Sequence, residues 1–474
     1  MTTPDLEYSA ADMRAMADAV VSRCIDHIAS LSGQPVLGDV EARDLCVALR
    51  EPAPEEGSAL PPLLDVVLDQ CVPRSFNAAH PGYLAYIPGG GVFPAALADF
   101  IANTTNRFTG VWMASPALVQ LEATALDWIR DWMGFPETAR GLFTTGGSMA
   151  TFNAILCARE KLLGPAIRDG VLYTSDQAHH CVLKSAKLAG ILPDRVRALP
   201  CDAAYRLPIE PLRAAIADDR ARGLRPFAIV GSAGTTNTGA VDPLDQLADV
   251  AAAEGLWLHV DGAYGGFFHL CDGTRGVLAG LSRADSLTLD PHKGMFLPYG
   301  TGAVLVRDGA DLRAAHEATA DYLPPMPHPD DFYDPSQHGP DLSRGFPGLR
   351  VWLTVKLYGA RTFREAIAEK RQLAVEAARR VAALPGIVID APPDLSLFAF
   401  HVTWPGATAD EEDAATQALM TKTTARGRVM ITGAVARGRY VGRVCVLSFR
   451  THTREIDQLV EDMTAALDEV LPRR

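Results

Sequence analysis

The chain lacks several features that would each have pointed to a class of function. Its eight cysteines, at positions 24, 46, 71, 157, 181, 201, 271 and 445, include no Cys-x-x-Cys pair. Neither a zinc site nor a disulfide framework is indicated, so no metal is expected and the thiols should be reduced and mostly buried. No uninterrupted apolar run approaches the roughly 20 residues of a membrane span. The opening Met1-Thr2-Thr3-Pro4-Asp5-Leu6-Glu7 is not a basic region followed by an apolar one, and the expectation is a cytoplasmic protein without a membrane partner. Basic residues number 44 against 57 acidic, a net charge of −13. No Lys/Arg-dense stretch is present to track a phosphate backbone, which argues against nucleic acid as a partner. What the chain does have is length, 474 residues, with 48% hydrophobic and 21% charged residues. These are globular proportions, suited to one large core plus a smaller satellite.

Between residues 140 and 306 short β-branched runs alternate with helical patterns, which predicts an α/β fold with a mostly parallel sheet and crossover helices. The expected strands are 141–144, 171–174, 227–231, 256–260, 286–289 and 302–306. In 149–163, Met149, Phe152, Leu156 and Leu163 mark a helical face. Upstream, 10–32 and 58–71 read as helices, and the Gly/Pro-rich stretch 79–94 contains Gly89-Gly90-Gly91. Downstream, 323–345 carries prolines at 324, 325, 327, 329, 335 and 340 together with Asp330, Asp331 and Asp334, the pattern of a lid or a linker. Residues 351–384 and 454–471 are helical, with strands expected at 386–389, 397–403 and 444–449. The expected organisation is an N-terminal helical segment 1–92, a large α/β domain 93–350 with a lid at 323–345, and a small α+β domain 351–474.

In such sheets ligands bind beyond the carboxyl ends of the strands, and polar residues there carry the chemical signal. Thr144-Thr145-Gly146-Gly147-Ser148 lies between a strand and a helix, where backbone N–H groups can approach an anion; it is also what an ordinary strand-to-helix turn looks like. Asp261 ends an apolar strand in His259-Val260-Asp261-Gly262-Ala263-Tyr264. A buried carboxylate needs a partner, and a pyridinium nitrogen or a helix start would each serve. Lys293 follows another strand in Asp290-Pro291-His292-Lys293-Gly294. Desolvation and a neighbouring positive charge there should release its proton and make it a nucleophile toward an aldehyde. In Asp176-Gln177-Ala178-His179-His180-Cys181, adjacent histidines diverge by about 100° on a helix. That makes a two-His metal site poor, and leaves a ring stacked on a flat cofactor or a satisfied core or surface histidine.

These motifs, in this order and spacing with Gly234-Thr235-Thr236-Asn237-Thr238, resemble the pyridoxal-5'-phosphate-dependent group II amino-acid decarboxylases, the aromatic-L-amino-acid decarboxylase group. His80-Pro81-Gly82-Tyr83-Leu84-Ala85-Tyr86, Ala114-Ser115-Pro116-Ala117-Leu118-Val119-Gln120-Leu121-Glu122 and Asp341-Leu342-Ser343-Arg344-Gly345-Phe346 extend the resemblance over residues 75–360. It implies the fold-type I architecture of pyridoxal enzymes and pyridoxal 5'-phosphate as cofactor. Lys293 would bond covalently to the cofactor, with His292 beside it. Asp261 would hold the pyridine nitrogen, Ala263 and His179 would cover the two ring faces, Gly147 and Ser148 would receive the phosphate, and Thr236 would bond near the ring. Tyr86, Ile87 and Pro88 would line the substrate side. Tyr333, counted back from Leu342-Ser343-Arg344, falls near the family's proton-donating lid tyrosine, and Tyr322 at the edge of the loop is the other candidate. The family's enzymes are homodimers whose N-terminal segment wraps the partner.

The expected activity is decarboxylation of an L-amino acid with an aromatic or bulky apolar side chain to the amine. Oxidative decarboxylation-deamination to an aldehyde, transamination, and a non-catalytic metabolite-binding relative are the alternatives, since fold and lysine do not choose the bond. The chain departs from the family pattern at Gly294, Asp290, Ala78 and Ile87, where a Trp, a phosphate-binding Asn, a pocket Trp and a bulkier aromatic are usual. Asp290 would repel a phosphate unless turned away. Arg450 either binds a carboxylate or is a surface strand-end residue.

Overall fold

The computed structural model describes residues 6–318, 326–327 and 331–472. Its centre is a seven-stranded sheet in the order β1-β7-β6-β5-β4-β2-β3, built from β1 (Arg140–Thr144), β2 (Gly170–Ser175), β3 (Val196–Leu199), β4 (Arg225–Ser232), β5 (Trp257–Gly262), β6 (Ser286–Leu289) and β7 (Gly302–Val306). Every residue of β2, β6 and β7 is buried, as helices covering both faces of a sheet require. The sheet is mostly parallel, as expected, with one reversal: β7 runs antiparallel to both β1 and β6. Parallel neighbours need a long crossover, whereas residues 290–301 form a short return loop, and Lys293 sits in that return. The strand β3 went unanticipated because Val196-Arg197-Ala198-Leu199 is a short edge strand whose residues are only partly covered.

A second, four-stranded antiparallel sheet has the order β10-β11-β9-β8, from β8 (Ile387–Ala391), β9 (Leu397–Val402), β10 (Thr432–Ala436) and β11 (Arg439–Cys445). Here the expected strand at 444–449 is corrected. The chain leaves the sheet at Cys445, where the Cys445 amide already donates to the Leu84 carbonyl at 2.9 Å. The hairpin that places β11 earlier turns on Arg437 (φ 50) and Gly438 (φ 76), the two left-handed residues of a primed two-residue turn. The helices Ala409–Thr424 and Thr453–Val470 cover this sheet, each opened by a reciprocal capping box, Thr408 with Glu411 and His452 with Glu455. The long helix Pro347–Ala382 breaks at Gly359 (φ 78) and packs against the helices Phe93–Thr105, Pro116–Trp132 and Thr453–Val470. The N-terminal helix Ala10–Ser30 buries none of its residues. Among the described residues no helix is long and apolar enough to cross a membrane.

Candidate active site

The carboxyl ends of β2, β4, β5 and β6 and the start of the helix Gly147–Leu162 surround a cavity of about 380 Å³. Lys293, His292, Asp261, Ala263, His179, Thr236, Gly147 and Ser148 all line it. Asp261 sits at the end of β5, half-buried, and one of its oxygens accepts the Ala263 amide at 3.1 Å. Two residues earlier on the strand, His259 is fully buried, 2.9 Å from Ser286 Oγ and 3.3 Å from Thr288 Oγ1. Burial pushes its pKa down to about 4, so a neutral ring lies behind Asp261. His179 Nδ1 accepts the Cys181 amide at 3.3 Å. Burial first, and His180 and Lys293 after it, lower its pKa and keep an uncharged ring over the cavity.

Lys293 differs from the expectation drawn from sequence. Burial pulls its ammonium down, but Asp290, with Asp261 and Cys181 behind it, more than offsets this and the net pKa is raised. Lys293 Nζ is 2.9 Å from Asp290 Oδ2. The neighbouring positive charge expected from His292 is also missing, because burial lowers the pKa of that imidazole, whose Nδ1 lies 2.8 Å from the Thr301 carbonyl oxygen. Asp290, which the sequence puts where a phosphate-binding Asn is usual, is not turned away. It faces the cavity, 2% exposed, with no partner for Oδ1 among the described residues. The signal was present: Asp290 ends an apolar strand just as Asp261 does. Cys181 also lines the cavity, its thiol pushed up to about 12 by burial.

The cavity suits a flat, phosphorylated pyridine. The first amides of a helix have no partner within it and favour an anion. At Gly147 a Cβ would stand 3.0 Å from Ala263 Cβ and 3.1 Å from Asp290 Oδ2, so only glycine leaves that space open. A carboxylate, an uncharged ring, a hydroxyl and a primary amine surround the remaining volume.

Other expected site residues lie elsewhere. Tyr86 (φ 51) is 50% exposed while Ile87 and Pro88 are buried, and none of the three lines the cavity. Their strap nonetheless rests on the lysine turn: a Cβ at Gly89 would lie 2.0 Å from the His292 carbonyl oxygen, and the Val92 amide donates to Phe296 at 2.8 Å. Arg450 is no free strand-end residue. It donates to the backbone carbonyls of Ala79, Gly90 and Gly91 and stacks 4.3 Å over the Phe449 ring. Tyr333 lines a separate cleft with Arg130, Arg140 and His338; it is 8% exposed, and its buried hydroxyl has no partner among the described residues. Tyr322 lies outside the described residues.

A lysine in the return loop between β6 and β7, facing a carboxylate at the end of β5 across a glycine-lined helix start, defines the class: a fold-type I pyridoxal-phosphate enzyme. Residues 47–403 match the pyridoxal-dependent decarboxylase conserved domain, and the chain belongs to that family. It is an amino-acid decarboxylase whose cofactor is pyridoxal 5'-phosphate. It is 33% identical to an aromatic-L-amino-acid decarboxylase of Bacillus atrophaeus over 98% of each chain. Among solved structures it resembles the Oryza sativa TDC with PLP and tryptamine (TM-score 0.93, 26% identity, 99% of this chain and 100% of that one). The Rhodiola rosea 4-hydroxyphenylacetaldehyde synthase is also similar (TM-score 0.90, 25% identity, 98% of this chain and 99% of that one).

Proposed function

We propose that the enzyme converts an L-amino acid with an aromatic or bulky apolar side chain to the amine and CO2. The observation that carries this is the convergence of Lys293, Asp261 and His179 on one cavity; the aromatic preference draws on the Bacillus atrophaeus relative. Pyridoxal 5'-phosphate, when bound, supplies the electron sink for the bond lost at Cα. In this reading Lys293 anchors the cofactor, Asp261 holds the proton on its ring nitrogen, and Gly147 and Ser148 take its phosphate. Thr236 bonds beside the ring, His292 borders the phosphate end, and His179 and Ala263 shut water from the two faces. Tyr86, Ile87 and Pro88, which do not line the cavity within this chain, are assigned to the substrate side only through the strap they form over the Lys293 turn. The deciding experiment incubates the loaded enzyme with each proteinogenic L-amino acid and measures CO2 and amine; no amine from any aromatic substrate overturns the proposal.

A second reading, release of an aldehyde, is favoured by the likeness to the Rhodiola rosea synthase and by the position of Tyr333, whose hydroxyl lies outside the cavity within one chain. Identifying amine, aldehyde or keto acid in the same assay separates decarboxylation from this route and from transamination. We further propose a homodimer in which residues 1–92 pack on the partner, flanking the large domain 93–350 and the small domain 351–474. Support comes from the unburied helix Ala10–Ser30 and from the exposed Leu97, Phe100 and Ile101 on the helix Phe93–Thr105, an apolar patch of the kind partners cover. The cytoplasmic location belongs to the same proposal and is supported by eight unpaired cysteines.

A further inference from the structure

Asp290 faces two demands that conflict. In the free enzyme it is the counter-ion of Lys293, 2.9 Å from Nζ. It also borders the start of the helix Gly147–Leu162, with Oδ2 3.1 Å from where a Gly147 Cβ would stand, and there a carboxylate repels any anionic group the helix attracts. Its second oxygen is buried and has no partner among the described residues. The other titratable groups facing it are His292 on its own turn, whose Nε2 is 3.6 Å away, and His179, Cys181 and Asp261 around the cavity. Burial lowers the pKa of both histidines, which leaves Lys293 as the cation in contact with Asp290.

We propose that Asp290 is the base that takes the ammonium proton of Lys293 when the lysine captures the cofactor aldehyde, and that it remains a neutral acid beside the bound phosphate. The inference rests on Lys293 as the cofactor anchor. The step balances. One ammonium proton passes to Asp290, and the freed lone pair attacks the aldehyde carbon. The two protons left on nitrogen end on the carbonyl oxygen, which departs as water while the C=N bond forms. Charge is conserved within the pair, and no oxidant or reductant enters. A neutral acid then offers its O–H to a phosphate oxygen, which removes the like-charge conflict and gives the orphaned carboxyl a partner.

The test is reconstitution of cofactor-free enzyme with pyridoxal 5'-phosphate, following the rate at which the absorption of the lysine–cofactor link appears. Asp290→Asn keeps the shape but removes the base. Its capture rate should fall at least about tenfold near neutral pH, then climb about tenfold per pH unit as lysine must lose its proton to solvent, while the wild type changes little. Equal rates and equal pH slopes for the two proteins overturn the proposal. Wild-type protein provides a second measurement that needs no variant. Its infrared difference spectrum on cofactor loading should gain a protonated-carboxyl band, and absence of that band also overturns the proposal. Borohydride trapping and peptide mapping keep the two hypotheses apart: an adduct at another lysine defeats the anchor assignment, whereas an adduct at Lys293 with unaltered capture kinetics in Asp290→Asn defeats only the role of Asp290.

Discussion

Glu122, with no exposed surface, is ion-paired with Arg344 and accepts a further hydrogen bond from the Gly348 amide at 3.2 Å. The pair fastens the helix Pro116–Trp132 to the chain that follows the proline-rich loop. Burial lowers the Arg344 pKa, but Glu122 more than offsets it, so the guanidinium stays charged. Tyr333 lies in the same neighbourhood and feels both charges.

Removing one partner of such a pair leaves the other buried and uncompensated. Glu122→Ala should therefore cost about 3–5 kcal/mol of stability, read as a lowered denaturant midpoint with an unchanged slope. An unmoved midpoint would show that Arg344 finds another partner.

At the cofactor, Lys293→Ala should abolish turnover and the absorption of the lysine–cofactor link while far-UV circular dichroism stays native. Asp261→Asn should retain binding but slow the chemical step by several orders of magnitude, each tenfold being about 1.4 kcal/mol. Near-native turnover in that variant would remove Asp261 from the ring nitrogen.

Product partition tests the proposed proton donor. A phenol delivering a proton to Cα in a closed site yields amine, and without it the carbanion persists long enough to meet oxygen. If Tyr333 is the donor, Tyr333→Phe should divert product toward aldehyde, ammonia and peroxide. Native amine formation in Tyr333→Phe together with its loss in Tyr322→Phe would transfer the role to Tyr322. Because Tyr333 lies outside the cavity of its own chain, the effect would also require the loop to move or a second subunit to supply it.

For assembly, light scattering should report twice the chain mass. Charged substitutions on the open face of the helix Ala10–Ser30, such as Val21→Lys with Ile25→Glu, should dissociate the dimer and cut activity. A monodisperse, active monomer would contradict the assembly.

Much of the large sheet was legible because its strands are buried on both faces and read as short runs of apolar and β-branched residues; 286–289 and 302–306 coincide with β6 and β7. The edge strands β3 and β10 were not, although the other two edges, β1 and β8, were. In β3, Arg197 interrupts the run, and in β10 the residues of Thr432-Gly433-Ala434-Val435-Ala436 are small and mostly only partly covered. The convergence of Lys293, Asp261 and His179 on one cavity was legible because strand ends bring them together whatever the intervening loops do. The charge state of Lys293 was not, since it depends on which way Asp290 turns, and the direction of a side chain three residues away is set by packing. Tyr333 shows the same limit on a larger scale: spacing locates a loop residue along the chain but says nothing of the cavity it enters.

The absence of a side chain at Gly89 has a mechanical consequence. With the strap lying directly on the His292 carbonyl, no compressible layer separates the N-terminal region from the turn that carries Lys293. Any displacement of that region is transmitted to the lysine backbone without loss. Detachment of the N-terminal segment, by truncation or by dilution of a dimer, should thus register first as leakage of bound cofactor, well before the central sheet unfolds.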